Sequence, residues 1–200
     1  MSAPFSKANS TRSGSPEDIN EDKTDVPFGL NLFGFAPCFK SNFAASLQFS
    51  EVDVLINNVA NDERHSPLEI DPQKWRDCLA VNLDASFFAC QAVIPQMRKK
   101  RKGNIINLSS INVMIGPKQM PGYVAAKSAL NGLGKSLANQ YGEYGIRVNT
   151  ILPGWVATDK QMALWLTPEA DREWQKSVAL RGQLQPIQIA NMALFLAADD

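Results

Sequence analysis

The feature that most restricts the fold is a repeated alternation beginning at residue 52. Three β-branched runs, "VDVLINN" (52–58), "NIINLSS" (104–110) and "IRVNTILPG" (146–154), are separated by stretches with helical spacing. Such short apolar runs read as strands buried on both faces. Between the first two, Asp71 before Pro72 reads as an N-cap with proline at the first helical position, and the helix runs to about Lys100. There "RKKRKG" places cations at the negative helix end and Gly103 at the stop. Residues 111–122 hold Gly116, Pro117, Pro121 and Gly122 and read as a loop; 123–142 read as a helix with Leu130, Leu133 and Leu137 on one stripe. Further helices are expected near 160–166, 168–177 and 187–197. Strand, helix, strand in this order demands parallel strands joined by crossover helices. The predicted fold is a doubly wound parallel α/β sheet, Rossmann-like, in three layers. Ligands of such sheets bind beyond the carboxyl ends of the strands. Asn57–Asn58, Ser109–Ser110 and Pro153 through Thr158 fall there.

Composition narrows the function. The formal charge is +0, so nothing favours nucleic acid or an anionic membrane surface, and no apolar run approaches the roughly 20 residues of a membrane span. A single histidine, His65, and three scattered cysteines, Cys38, Cys78 and Cys90, give no metal-ligand spacing; no metal is expected. An odd cysteine count without an apolar signal segment fits a reducing, cytoplasmic setting. Residues 1–27 are polar and read as a disordered tail; 28–200 are assigned to one domain, with 28–50 apolar and aromatic but without a clean period.

The stretch "GYVAAKSAL" (122–130) holds Tyr123 four residues before Lys127, so both lie on one helix face. Either these are chance neighbours on a surface turn, or the lysine adjusts the acidity of the phenol. A free phenol has a pKa near 10, and a cation within about 4–6 Å lowers it. The positive end of the helix acts in the same direction. A phenol so poised exchanges a proton with an alcohol or carbonyl oxygen, and the Ser110 hydroxyl, thirteen residues upstream at a strand end, could hold that oxygen. The combination of strand end, serine, tyrosine and lysine favours the second reading over a bare YxxxK.

With these motifs in place, the chain resembles the short-chain dehydrogenases/reductases. "NNVA" (57–60) is similar to their NNAG segment, Asn82 in "VNL" to their active-site asparagine, Ser110, Tyr123 and Lys127 to their serine, tyrosine and lysine, and "PGWVAT" (153–158) to their nicotinamide-contacting segment. The resemblance covers residues 52–200. It implies an oxidoreductase using NAD or NADP on a CH–OH group. Tyr123 would be the general acid/base, Ser110 would orient the substrate oxygen, Lys127 would lower the tyrosine pKa and hold the nicotinamide ribose, and Asn82 would interrupt its helix and hold a water. The cofactor contacts implied are Asn57, Ala60, Tyr123, Lys127, Pro153, Gly154, Val156 and Thr158. A finer likeness, in "NNVANDERH" (57–65) and "PGWVATDKQMALWLTPEA" (153–170), is to the branch that oxidises aldoses at carbon 1 to lactones. Its substrate contacts would be Asn61, Asp62, His65, Ser110, Asn112 and Trp155, with Arg64 beside them; the 61–65 loop could equally be a plain solvated loop, and Trp155 and Trp165 could equally be core. Reduction of a ketone or 3-oxoacyl thioester is the alternative within the family. Members commonly pair as dimers or tetramers through helices matching 72–100 and 123–142.

Two departures stand out. Before Asn57 the glycines are Gly14, Gly29 and Gly34, without the spacing of a pyrophosphate-binding loop, and the chain stops at Asp200, where the family adds a last strand. The fold is therefore expected to be incomplete at both ends, and a noncatalytic remnant that pairs with full-length relatives is a second hypothesis. "GLGKS" (132–136) resembles part of a phosphate loop, but it lies mid-helix and has Ala129 where that motif needs glycine; it reads as helix surface or a packing contact.

Overall fold

A computed structural model of the chain describes residues 52–199. The expected tail (1–27), the apolar stretch 28–50 and the three early glycines lie outside the described residues. Strand β1 (Val54–Asn57) leads through helix α1 (Pro72–Leu79), a π-helical turn (Ala80–Asp84) and helix α2 (Ala85–Lys100) to β2 (Gly103–Leu108). A short helix α3 (Asn112–Ile115) and the long α4 (Pro121–Tyr141) precede β3 (Ile146–Ile151), and α5 (Asp159–Leu164), α6 (Pro168–Ser177) and α7 (Pro186–Ala197) follow. The strands pair in parallel in the order β1-β2-β3, with Asn57 opposite Asn107 and Leu108 opposite Ile151.

Alternation along β2 sets the layers. Ile105 points to one face and packs with Cys90, Val93, Ile94 and Met97 of α2, Leu137 of α4 and Ile146 of β3. Ile106 and Leu108 point to the other, against Ala193, Ile189 and Leu196 of α7. Helices thus cover both faces of a strand whose six residues are all buried, giving the expected Rossmann-like arrangement. The continuous helical stretch 72–100 is the one described segment long and apolar enough to cross a membrane, and its Cys90, Val93, Ile94 and Met97 are buried in the core against β2.

Local chemistry explains the boundaries. Asp71 Oδ1 accepts from the Gln73 and Lys74 amides at 2.8 and 2.9 Å, with Pro72 next, as the N-cap reading requires. The end of α2 differs from expectation: Arg101, at φ 54°, makes the left-handed stop, and Gly103 instead starts β2. Its glycine is explained by Met97, whose Sδ would lie 2.5 Å from a Cβ there. The expected loop 111–122 contains α3, because Ser110 Oγ accepts from the Asn112 amide and starts a turn that Gly116 closes at φ 57°. Helix α4 begins two residues early, with Pro121 at its first position.

Gly134, the glycine of the phosphate-loop look-alike, is a packing contact. A Cβ there would stand 2.7 Å from Thr150 Oγ1 of β3, so the missing side chain lets α4 lie close to the sheet. Gly134→Val is expected to lower stability by about 2–3 kcal/mol, read as a reduced denaturant midpoint at unchanged slope. An unchanged midpoint would show that α4 does not need this close approach.

Candidate active site

The carboxyl ends of the three strands open into a cleft of about 760 Å³. Hydrogen bonds from Ser109 N to Ile151 O and from Ile111 N to Pro153 O, each 2.8 Å, continue the β2–β3 pairing past the strands and set Pro153–Val156 beside Ser110. The end of β2 also grips α4. Ser109 Oγ donates to Lys127 O at 2.8 Å, and Lys127 Nζ donates to Leu108 O at 2.7 Å. Lys127 is 1% exposed, yet it and Tyr123 both line the cleft, with Nζ 6.0 Å from the Tyr123 ring centroid. The Ser110 hydroxyl lines the same cleft beside the Tyr123 phenol. Ser110, Tyr123 and Lys127 therefore meet as the spacing predicted.

The electrostatics do not follow the expectation. Burial raises the Tyr123 phenol above its ordinary value; the Ser110 hydrogen bond opposes this, and the Asp62 carboxylate adds to the rise. Burial lowers Lys127 to about 8. Burial is the larger effect on the phenol, and the Lys127 ammonium is itself desolvated and bonds the Leu108 carbonyl.

The segment after β1 obeys a period of two. Ile56, Asn58, Ala60, Asp62 and Arg64 line the cleft. Three predicted contacts, Asn57, Asn61 and His65, have the opposite parity and do not line it. Asn57 is buried and its Nδ2 donates to Asn107 Oδ1 at 2.9 Å, across the β1–β2 pair. Asn61 is held by Asn82: its amide donates to Asn82 Oδ1, and its carbonyl accepts from Asn82 Nδ2, both at 2.9 Å. His65 donates its backbone N–H to Gln119 O at 2.8 Å and lies against the start of α4. Asn82 does interrupt its helix, sitting in the π turn, but its side-chain amide is used up on Asn61 and the Cys78 carbonyl, and it does not reach the cleft. Its side chain clamps the loop after β1 at Asn61.

The remaining predicted residues, Ala60, Asp62, Asn112, Pro153, Gly154, Trp155, Val156 and Thr158, line the cleft. The opposite wall holds residues the sequence did not single out. Thr158 caps α5, whose first turn brings Lys160 and Gln161 to Asp62 at 2.6 and 2.7 Å. Trp155 Nε1 donates to Gln161 Oε1 at 2.8 Å, and Trp174 packs edge-on to Trp155 with centroids 5.9 Å apart. Trp165 is turned away to stack under Arg64, 4.2 Å from its guanidinium carbon. A Ser/Thr cap followed two residues later by polar side chains in a first turn was the available signal for Lys160 and Gln161. Among the described residues no cluster of three or more His, Cys, Asp or Glu could hold a metal ion.

A buried serine–tyrosine–lysine set thus stands at the strand ends of a parallel sheet, and likeness to known proteins gives its family. A family model described as enoyl-(acyl carrier protein) reductase matches residues 11–200, and the chain belongs to the short-chain dehydrogenase/reductase family. It is 40% identical over 155 residues to a probable galactose dehydrogenase of Rhizobium meliloti, covering 78% of this chain and 60% of that one. It is 36% identical over 157 residues to a D-xylose 1-dehydrogenase of Caulobacter vibrioides, covering 78% and 63%. Among solved structures it is similar to a 3-oxoacyl-[acyl-carrier protein] reductase from Brucella melitensis, with TM-score 0.74, 32% identity and coverage of 80% and 62%. It is also similar to a gluconate 5-dehydrogenase from Burkholderia cenocepacia in complex with NADP and tartrate, with TM-score 0.73, 26% identity and coverage of 80% and 63%. The chain thus spans about three-fifths of the length of these relatives.

The buried lysine has a consequence for stability. Its folded pKa is depressed below the ordinary 10.5, so between about 8 and 10.5 the unfolded chain binds more protons and stability rises with pH. Below that window the full cost of burying the charge is present. Lys127→Met is expected to raise stability at pH 7 by about 1–3 kcal/mol and to abolish the rise between pH 8 and 10.5 that this group contributes. Denaturant midpoints across that pH range check both; a less stable variant would mean that the bond to Leu108 O outweighs desolvation.

Proposed function

We infer that this chain carries the proton-transfer half of an NAD(P)-dependent oxidoreductase acting on a CH–OH group, with an aldose oxidised at carbon 1 to its lactone. The observation that carries the reading is that Ser110, Tyr123 and a buried Lys127 share one cleft at the strand ends. The substrate hydroxyl would lie against Ser110 and Tyr123, and ionised Tyr123 would accept its proton. Lys127 and the Pro153–Val156 backbone fit the nicotinamide end of the cofactor: a buried cation with hydrogen-bond capacity beyond Leu108 O, facing a cleft large enough for ring and ribose. When bound, the nicotinamide supplies the acceptor for the hydride leaving carbon 1. Ala60 and Thr158 are the further proposed contacts. The aldose proposal draws on the galactose and xylose dehydrogenase relatives and on the polar lining of Asn58, Asp62, Asn112 and Gln161. A many-hydroxyl substrate is discriminated by such groups.

A second reading has its own support. A phenol kept neutral by burial is a proton donor at pH 7, which suits reduction of a ketone or 3-oxoacyl thioester, the activity named for the Brucella relative. The two directions respond oppositely to pH. Oxidation should rise from neutral to alkaline pH as phenolate accumulates, whereas reduction should fall over the same range. Assays of D-galactose, D-xylose and a 3-oxoacyl thioester with NAD and NADP separate them; turnover of the thioester alone would end the aldose proposal. In whichever assay is positive, Tyr123→Phe should lower kcat by about 10²–10⁴-fold with KM little changed.

A further inference from the structure

We propose that His65 is a positioning residue that caps the first turn of α4 from outside the helix and thereby fixes where Tyr123 stands. The inference rests on the reading of Tyr123 as the proton-transfer group. Helix α4 starts without a cap of its own, since Met120 at its N-cap position makes no side-chain hydrogen bond. Pro121 has no N–H, so Gly122 carries the first orphan donor. That donor is turned to His65 Nε2, 3.4 Å away. The same histidine donates its backbone N–H to Gln119 O at 2.8 Å, and Gln119 holds a left-handed φ of 62°. His65 therefore grips the corner before α4 from both sides, one residue short of Tyr123.

The fit leaves no slack. A Cβ on Gly122 would lie 3.0 Å from Cys78 Sγ and 3.2 and 3.3 Å from His65 Cε1 and Nε2, so the first turn rests flat on the imidazole and the thiol. The loop bearing His65 is itself pinned four residues earlier by the two Asn82–Asn61 hydrogen bonds. A continuous series of contacts thus runs from the π turn through Asn61 and His65 to Gly122 and Tyr123. To accept from Gly122, Nε2 must be unprotonated, which assigns the ring hydrogen to Nδ1.

The chain has three tyrosines, so in a Tyr141→Phe/Tyr144→Phe background the tyrosinate absorbance near 295 nm reports Tyr123 alone. Titrating that background without cofactor or substrate makes the test independent of turnover. His65→Leu removes the acceptor, and the loosened turn admits water; the Tyr123 midpoint should move down toward the ordinary phenol value by at least about half a unit. His65→Gln, whose amide oxygen reaches the place of Nε2, should keep the parent midpoint. Equal midpoints for parent and His65→Leu, or equal shifts for both variants, would overturn the proposal. Should His65→Leu not fold, Gly122→Ala breaks the contact from the helix side, with the same downward shift expected and an unmoved midpoint again overturning it. An inactive chain that shows these shifts would sink the oxidoreductase reading and leave the positioning role standing; an active chain without them would do the reverse.

Discussion

The site depends on one buried contact, the Lys127 ammonium on the Leu108 carbonyl at the last residue of β2. A charge taken out of water is tolerated only with a strong acceptor, and a carbonyl at the end of a parallel strand supplies one. Together with Ser109 Oγ on the Lys127 carbonyl, it ties the first turns of α4 to the strand end from which Ser110 emerges. Helix phase then does the rest: one turn back from Lys127, the Tyr123 ring arrives beside Ser110. The arrangement costs folding free energy and gains a fixed geometry.

Much of this was legible because it rests on periods. The switch from β-branched runs to helical spacing gave the parallel sheet, the strand-end rule gave Ser110, and the four-residue helical spacing gave Tyr123 and Lys127. The loop after β1 was not legible for a related reason. It continues the two-residue alternation of the strand without strand hydrogen bonds, so polarity alone could not say which of its residues face the cleft. Asn57, Asn61 and His65 are as polar as Asn58, Asp62 and Arg64; only the parity inherited from Ile56 separates them. The direction of the Tyr123 shift was misread because a cation four residues away says nothing about burial, and burial is the larger effect. Asn82 was found as a helix interrupter but not as a clamp, since its partner lies 21 residues earlier.

The far wall shows how the cleft is closed by chemistry rather than by the sheet. Asp62 comes from the loop after β1, while Lys160 and Gln161 come from the turn after β3, nearly a hundred residues later. Lys160 and Asp62 neutralise one another, and Gln161 passes the network on to Trp155. Polar groups around the cleft are therefore held by protein partners before any ligand arrives, which lowers the ordering cost of binding.

The alternation from 56 to 64 has an evolutionary corollary. Substituting an even-numbered position changes what the cleft offers a ligand while leaving the anchors at 57, 61 and 65 untouched. Inserting or deleting one residue exchanges the two sets at once, presenting anchors to the ligand and burying its contacts. Drift in ligand preference along this segment should thus proceed by replacement at constant length, in contrast to ordinary surface loops, which readily change length.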